Sequence, residues 1–141
     1  KMIAIQSSGC APIVDAFEKG LNHANAWDNA NTVASGIRVP VAIGDFLILD
    51  AIRQSNGFAF AVEDEHIIET RDMISKEDGL LLCPEGAATA AGYKIAIEKG
   101  IISKDEKAVL FNCASGLKYP MPKSDKKIDK DSNLKFAQFI K

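Results

Sequence analysis

The chain has 141 residues, of which 47% are hydrophobic and 26% charged, enough for one compact domain. Seventeen basic side chains against nineteen acidic ones leave a net charge of −2, without the basic excess that a nucleic-acid-binding face requires. Mean hydropathy is −0.02, no apolar run approaches the roughly twenty residues of a membrane span, and the opening lacks the pattern of a secretory signal.

Met2 to Gln6 is a short apolar run that reads as a buried strand, released into a loop at Ser7-Ser8-Gly9. From Ala11 to Lys19, Ile13, Val14 and Phe17 share one helical face, and Gly20 stops the helix. Leu21 to Asn31 is rich in Asn, carries Trp27 and shows no clean period. Pro40 and Gly44 precede a helix over Asp45 to Arg53 that is apolar nearly all round. After Asn56-Gly57, the run Phe58 to Val62 is a second strand. Asp64 is the expected N-cap of a helix through Ile67, Ile68, Arg71 and Ile74, closed by Gly79.

Leu80 to Cys83 reads as a third strand, followed by a helix through Ala87, Ala88, Ala90 and Ala91 that Gly100 ends. Ala108 to Asn112 is the expected fourth strand. Continuous apolar strands, each followed by a helix, predict an α/β fold with a mostly parallel, twisted sheet flanked by helices. Residues 123–141 turn polar and then weakly amphipathic, which predicts a linker and a short C-terminal helix.

In open parallel sheets, ligands bind beyond the carboxyl ends of the strands. That rule nominates Ser7 to Cys10, Glu63-Asp64, Pro84-Glu85-Gly86 and Cys113 to Gly116. Helix N-termini at such loops favour anionic or polar ligands, although ordinary turn chemistry gives the same composition. Cys10, Cys83 and Cys113 form no C-x-x-C pair, which excludes a zinc ribbon by spacing and predicts reduced, mostly buried thiols in a cytoplasmic protein. His23 and His66 lie in no metal-spaced cluster, and no G-x-S-x-G, G-x-G-x-x-G or P-loop motif occurs.

Four ordered motifs carry a family resemblance. Gln6 to Val14, Thr32 to Pro40 with Gly44-Asp45, Pro84 to Ala88, and Gly116 to Pro120 resemble the central and C-terminal regions of threonine synthases. The likeness covers residues 1–122 and points to the fold-type II, tryptophan synthase beta-like, pyridoxal-phosphate enzymes.

The resemblance implies a lyase that converts O-phosphohomoserine and water to threonine and phosphate, with pyridoxal phosphate as electron sink. It implies a small-molecule, phosphorylated amino-acid substrate, no nucleic acid or membrane partner, and a homodimer of the kind common among relatives. It puts Cys113 where relatives bind the pyridine nitrogen through Thr-Gly, here Cys113-Ala114, with Asn112 just before it. Ser35, Gly36 and Ile37 match the loop that lines the ring. Glu85 matches an acidic residue near the ring, and also suits a first-turn carboxylate placed by the helix dipole.

Lys118 is not the Schiff-base lysine by this match. That residue belongs to the family's N-terminal portion, together with the glycine-rich phosphate loop, so residues 1–141 alone are expected to be inactive. Cysteine at position 113 is also similar to serine and threonine dehydratases of the same fold, which supplies an alternative reaction. A non-catalytic domain of that fold is the third reading.

Overall fold

A computed structural model describes residues 1–121 together with Asp129 and Asp131. The linker and terminal helix expected over 123–141 otherwise lie outside the described residues.

Two strands, β1 (Ile3–Ser7) and β2 (Phe58–Val62), pair in parallel, with Ile3 opposite Phe58 and Ser7 opposite Val62. Parallel neighbours need a crossover, which here contains α1 (Pro12–Glu18) and α2 (Asp45–Gln54). The helices α3 (Asp64–Glu77) and α4 (Pro84–Glu98) follow β2 and pack on each other. One apolar core joins Ile13, Val14, Leu49 and Ile52 to β2, and a second joins Val62, Ile67 and Leu82 to Ala87, Ala88 and Ala91 of α4. Gly20, Gly79 and Gly100 follow three of the helices as predicted, each at a φ near +68° that suits a residue without Cβ.

The helix starts depend on unlike devices. α1 has proline at its first position and no cap from its own N-terminal neighbour; the Gln6 side chain of β1 supplies it, accepting from Ile13 N at 2.9 Å and Val14 N at 3.1 Å. α4 also begins with proline, and the Cys83 thiol accepts from Gly86 N at 3.2 Å.

Between α1 and α2 the only regular element is a single 3-10 turn at Ser35–Ile37, in keeping with the absence of period over Leu21 to Asn31. This long stretch is nonetheless tied down. Ala24 N donates to Asp45 Oδ2 at 2.6 Å, Trp27 N to Pro40 O at 2.9 Å and Asn31 N to Gly9 O at 3.1 Å.

Three local expectations need correction. Leu80 to Cys83 contributes one antiparallel bridge, Leu82 to Ser115, and no ladder, because Cys83 is already the cap of α4 and Pro84 starts that helix at once. Ala108 to Asn112 is not laddered either. A cavity of about 600 Å³ separates this segment from Ile3, Phe58 and Phe60, so Phe111 O meets the Thr89 hydroxyl at 3.4 Å instead of a strand. Asp64 does not cap α3: Glu63 holds the N-cap position, and Asp64 is the first helical residue with its carboxylate turned elsewhere.

Among the described residues, no helix is long and apolar enough to cross a membrane.

Candidate cofactor site

The loops that follow β1 and β2 are joined by side chains. Ser8 Oγ donates to Glu63 Oε2 at 2.6 Å and Ser7 Oγ to Asp64 Oδ1 at 2.9 Å. Asp64 then gathers the loop over 32–37: Thr32 Oγ1 donates to Oδ1 at 2.5 Å and Val33 N to Oδ2 at 2.8 Å. Both hydroxyls relay the contact onward, since Gly9 N donates to Ser7 Oγ at 3.3 Å and Ala34 N to Thr32 Oγ1 at 3.1 Å. Sequence reading gave Asp64 a cap and a place among the nominated loops and missed this tethering role, for which no local motif gives a signal.

The second pair of nominated loops also meets. Cys83 N donates to Ala114 O at 3.3 Å and Gly116 N to Leu81 O at 3.0 Å, which sets Asn112 and Cys113 beside the first turn of α4. The Cys83 thiol lies 3.3 Å from Asn112 Oδ1 and 3.8 Å from the Cys113 sulfur. Gly86 permits this approach, because a Cβ built there would overlap the Asn112 side chain.

Glu85 connects the two halves. Gly36 N donates to Glu85 Oε1 at 2.6 Å, so the 3-10 turn of Ser35, Gly36 and Ile37 rests on the start of α4. A Cβ on Gly36 would stand 2.8 Å from the same oxygen. Glu85 is only 5% exposed, and its second oxygen, Oε2, is buried without an aligned hydrogen-bond donor. Such an oxygen is costly unless something completes it. Cys113 and Gly36 are exposed and Ile37 half-buried, so Glu85 forms the floor beneath an accessible rim.

Burial pushes the Glu85 carboxyl up, but its own backbone N–H, the Tyr119 hydroxyl, Gly36 N and the Cys83 thiol outweigh that and hold it below its ordinary value. In return the carboxylate raises the Tyr119 hydroxyl from 10.0 to about 12 by favouring its protonated form, with burial adding to the shift. Burial raises the Cys83 thiol as well. By linkage, the Tyr119 contribution to stability is full below about pH 10 and is lost as pH rises through about 12. The Glu85 contribution is present above the ordinary carboxylate range and is lost as pH falls through its depressed value.

An alkaline titration followed by tyrosinate absorbance should therefore show one of the chain's two tyrosines ionising near pH 12. Glu85→Gln should return that transition toward 10.0. An unchanged transition in the variant would remove Glu85 as its cause.

All three cysteines are free, Cys10 and Cys83 being buried. Cys113 departs from the buried thiol expected because it ends the unladdered segment and has no strand to cover it. His66 is exposed in the first turn of α3, while His23 Nδ1 stands 3.5 Å from Asp45 Oδ1 at the start of α2. All six residues nominated for cofactor contact thus fall on three adjoining segments: Ser35–Ile37, Glu85 and Asn112-Cys113.

Comparisons with known proteins bear on this arrangement. The family model described as pyridoxal-phosphate dependent enzyme matches residues 1–114. Threonine synthase of Methanocaldococcus jannaschii is 38% identical over 120 residues, covering 85% of this chain and 30% of that protein. Threonine synthase of Methanosarcina acetivorans is 34% identical over 120 residues with the same coverage. The chain therefore spans about a third of the length of these curated relatives.

Among solved structures, the threonine deaminase of T.th. superposes with a TM-score of 0.54 at 19% identity, over 70% of this chain and 34% of that one. Maize serine racemase gives 0.54 at 19% identity, over 64% and 27%. At that identity the two structures speak for the fold alone.

Proposed function

This chain belongs to the pyridoxal-phosphate dependent enzyme family, and from that premise we propose that residues 1–122 form the C-terminal part of a threonine synthase-like catalytic domain. The observation that carries the reading is the Gly36 N to Glu85 Oε1 hydrogen bond, which brings the Ser35–Ile37 turn to the α4 start beside Cys113.

These residues suit one wall of a cofactor pocket. The accessible Cys113 thiol would bond to the pyridine nitrogen, weakly and without forcing a proton onto it. Ser35, Gly36 and Ile37 would line the ring, with glycine allowing close approach of the backbone. Glu85 would hold that turn in place, its unpartnered Oε2 leaving capacity for one more donor, while Asn112 orients the segment that carries Cys113. When bound, pyridoxal phosphate supplies the electron sink for chemistry at the substrate's carbon skeleton. The protein's part is to orient, to desolvate and to set local charge.

The reaction proposed for the complete polypeptide is conversion of O-phosphohomoserine and water to threonine and phosphate, in the cytoplasm, by a homodimer. Similarity to two archaeal threonine synthases supports it. Residues 1–141 by themselves are proposed to be inactive. The alternative is a serine or threonine dehydratase, favoured specifically by the thiol at position 113.

Phosphate release from O-phosphohomoserine, measured beside ammonia release from L-serine and L-threonine, separates the two. Ammonia release without phosphate release would establish the alternative, and neither would point to a non-catalytic domain. In the same polypeptide, Cys113→Ala should weaken pyridoxal phosphate binding about tenfold, the worth of one hydrogen bond, with Cys113→Ser retaining it. Equal affinity in all three forms would remove Cys113 from the site.

A further inference from the structure

The two thiols and the carboxylate at the start of α4 have a separation that the cofactor reading does not require. The Cys83 and Cys113 sulfurs are 3.8 Å apart. Two thiolates on one tetrahedral zinc ion, at about 2.3 Å each, stand about 3.8 Å apart. A Glu85 carboxylate oxygen lies within 4.8 Å of both sulfurs, where a tetrahedral ligand set asks for about 3.5 Å.

We propose that Cys83, Cys113 and Glu85 form a binding site for a thiophilic divalent cation of the zinc class. Three independent features converge on it. The donors come from segments 30 positions apart, so the cluster is a product of the fold and not of local spacing. Glu85 Oε2 is buried and makes no hydrogen bond of ordinary geometry, so beside the Tyr119 hydroxyl that favours the ionised carboxyl it keeps capacity for a cation. Gly86 N already points at the Cys83 sulfur at 3.2 Å, and such outer hydrogen bonds stabilise a ligating thiolate.

The exposure of Cys113 leaves the fourth position open to solvent, which gives three protein donors and one water. On binding, each thiol gives up its proton to solvent, so one divalent cation replaces two protons and charge is conserved. This also explains how a set excluded by C-x-x-C spacing can exist: the second sulfur arrives through the bridge between Leu82 and Ser115.

The site goes beyond the cofactor reading and shares residues with it. A cation held by Cys113 would occupy the sulfur proposed for the pyridine nitrogen, so the two ligands should exclude each other.

The test uses the complete polypeptide, fully reduced and free of pyridoxal phosphate, so its outcome does not depend on the cofactor reading. Titration with cobalt(II) should produce a thiolate charge-transfer band that saturates at one equivalent. Cys83→Ser and Cys113→Ser should each abolish the band, Cys10→Ser should keep it, and Glu85→Gln should weaken binding at least about tenfold, since even outer partners are worth that much. In the unmodified chain, one equivalent of zinc should slow iodoacetamide labelling of Cys113, read by mass spectrometry, about tenfold or more. Absence of zinc protection in the unmodified chain overturns the proposal whether or not the variants fold. So does a cobalt band that survives in either Cys83→Ser or Cys113→Ser.

Discussion

Replacing Asp64 by alanine should destabilise the protein by about 3 kcal/mol. Three donors lose their acceptor at once: Ser7 Oγ, Thr32 Oγ1 and Val33 N. Ser7 is fully buried and Thr32 is 6% exposed, so water cannot readily replace the carboxylate at those hydroxyls. A hydrogen bond to a charged group contributes about 1.5–3 kcal/mol, and bonds to one shared acceptor do not add fully. Asp64→Asn keeps one acceptor oxygen and should cost roughly half as much. Urea denaturation of the complete polypeptide measures both values. A loss under about 0.5 kcal/mol for the alanine variant would mean that the loop over 32–37 is held by other contacts.

Gly86→Ala should have the larger effect on the proposed cofactor wall. Alanine is the better helix former by about 1 kcal/mol. Its Cβ, however, would land on the Asn112 side chain, and overpacking of this kind costs about 1–3 kcal/mol. The second term wins only if Asn112 cannot step aside. Its Oδ1 is engaged by the Cys83 thiol, and the neighbouring backbone is pinned by the Cys83 N to Ala114 O bond. The expected result is a net loss of stability together with a drop in pyridoxal phosphate affinity, because Asn112 carries Cys113 with it. Asn112→Ala should relieve the overlap, so the double variant should recover most of the loss. Strict additivity of the two substitutions would show that Gly86 is not held by Asn112.

The helices and both observed strands were legible in the sequence because their signals are local. Apolar spacing marks α1 and α3, an apolar run and a row of alanines mark α2 and α4, and glycine marks three of their ends. Leu80 to Cys83 and Ala108 to Asn112 misled for one reason: an apolar run reports burial or the demand for it, and not the presence of a ladder partner. In Leu82 the apolar character serves a helix-side core. In Val109 and Phe111 it is left at the surface, across a cavity from β1 and β2.

The candidate site was half legible. Position beyond the strand ends named the loops, and family resemblance named Cys113, Glu85 and Ser35 to Ile37. Neither could show that the Glu85 carboxylate bonds to Gly36, or that Asp64 gathers Ser7, Thr32 and Val33, since these contacts join residues 31 to 57 positions apart. The thiol pair was hidden for the same reason. Cysteine is also an unusual helix cap, and a rule built on Ser, Thr, Asp and Asn passes over Cys83.

The tethered stretch between α1 and α2 has a consequence for how this sequence can drift over evolutionary time. Its conformation is fixed at a handful of points: Ala24 to Asp45, Trp27 to Pro40, Asn31 to Gly9 and the two bonds to Asp64. Most of those bonds use backbone groups on the loop side, which any residue except proline can supply as a donor. Selection therefore falls on the acceptors, Asp45 and Asp64, and on Gly9, where a side chain would collide with Asn31. Between tethers, doubling a flexible span costs only about 0.6 kcal/mol in closure entropy. Length variation among descendants should therefore accumulate from Leu21 to Asn31 and spare Thr32 to Ile37.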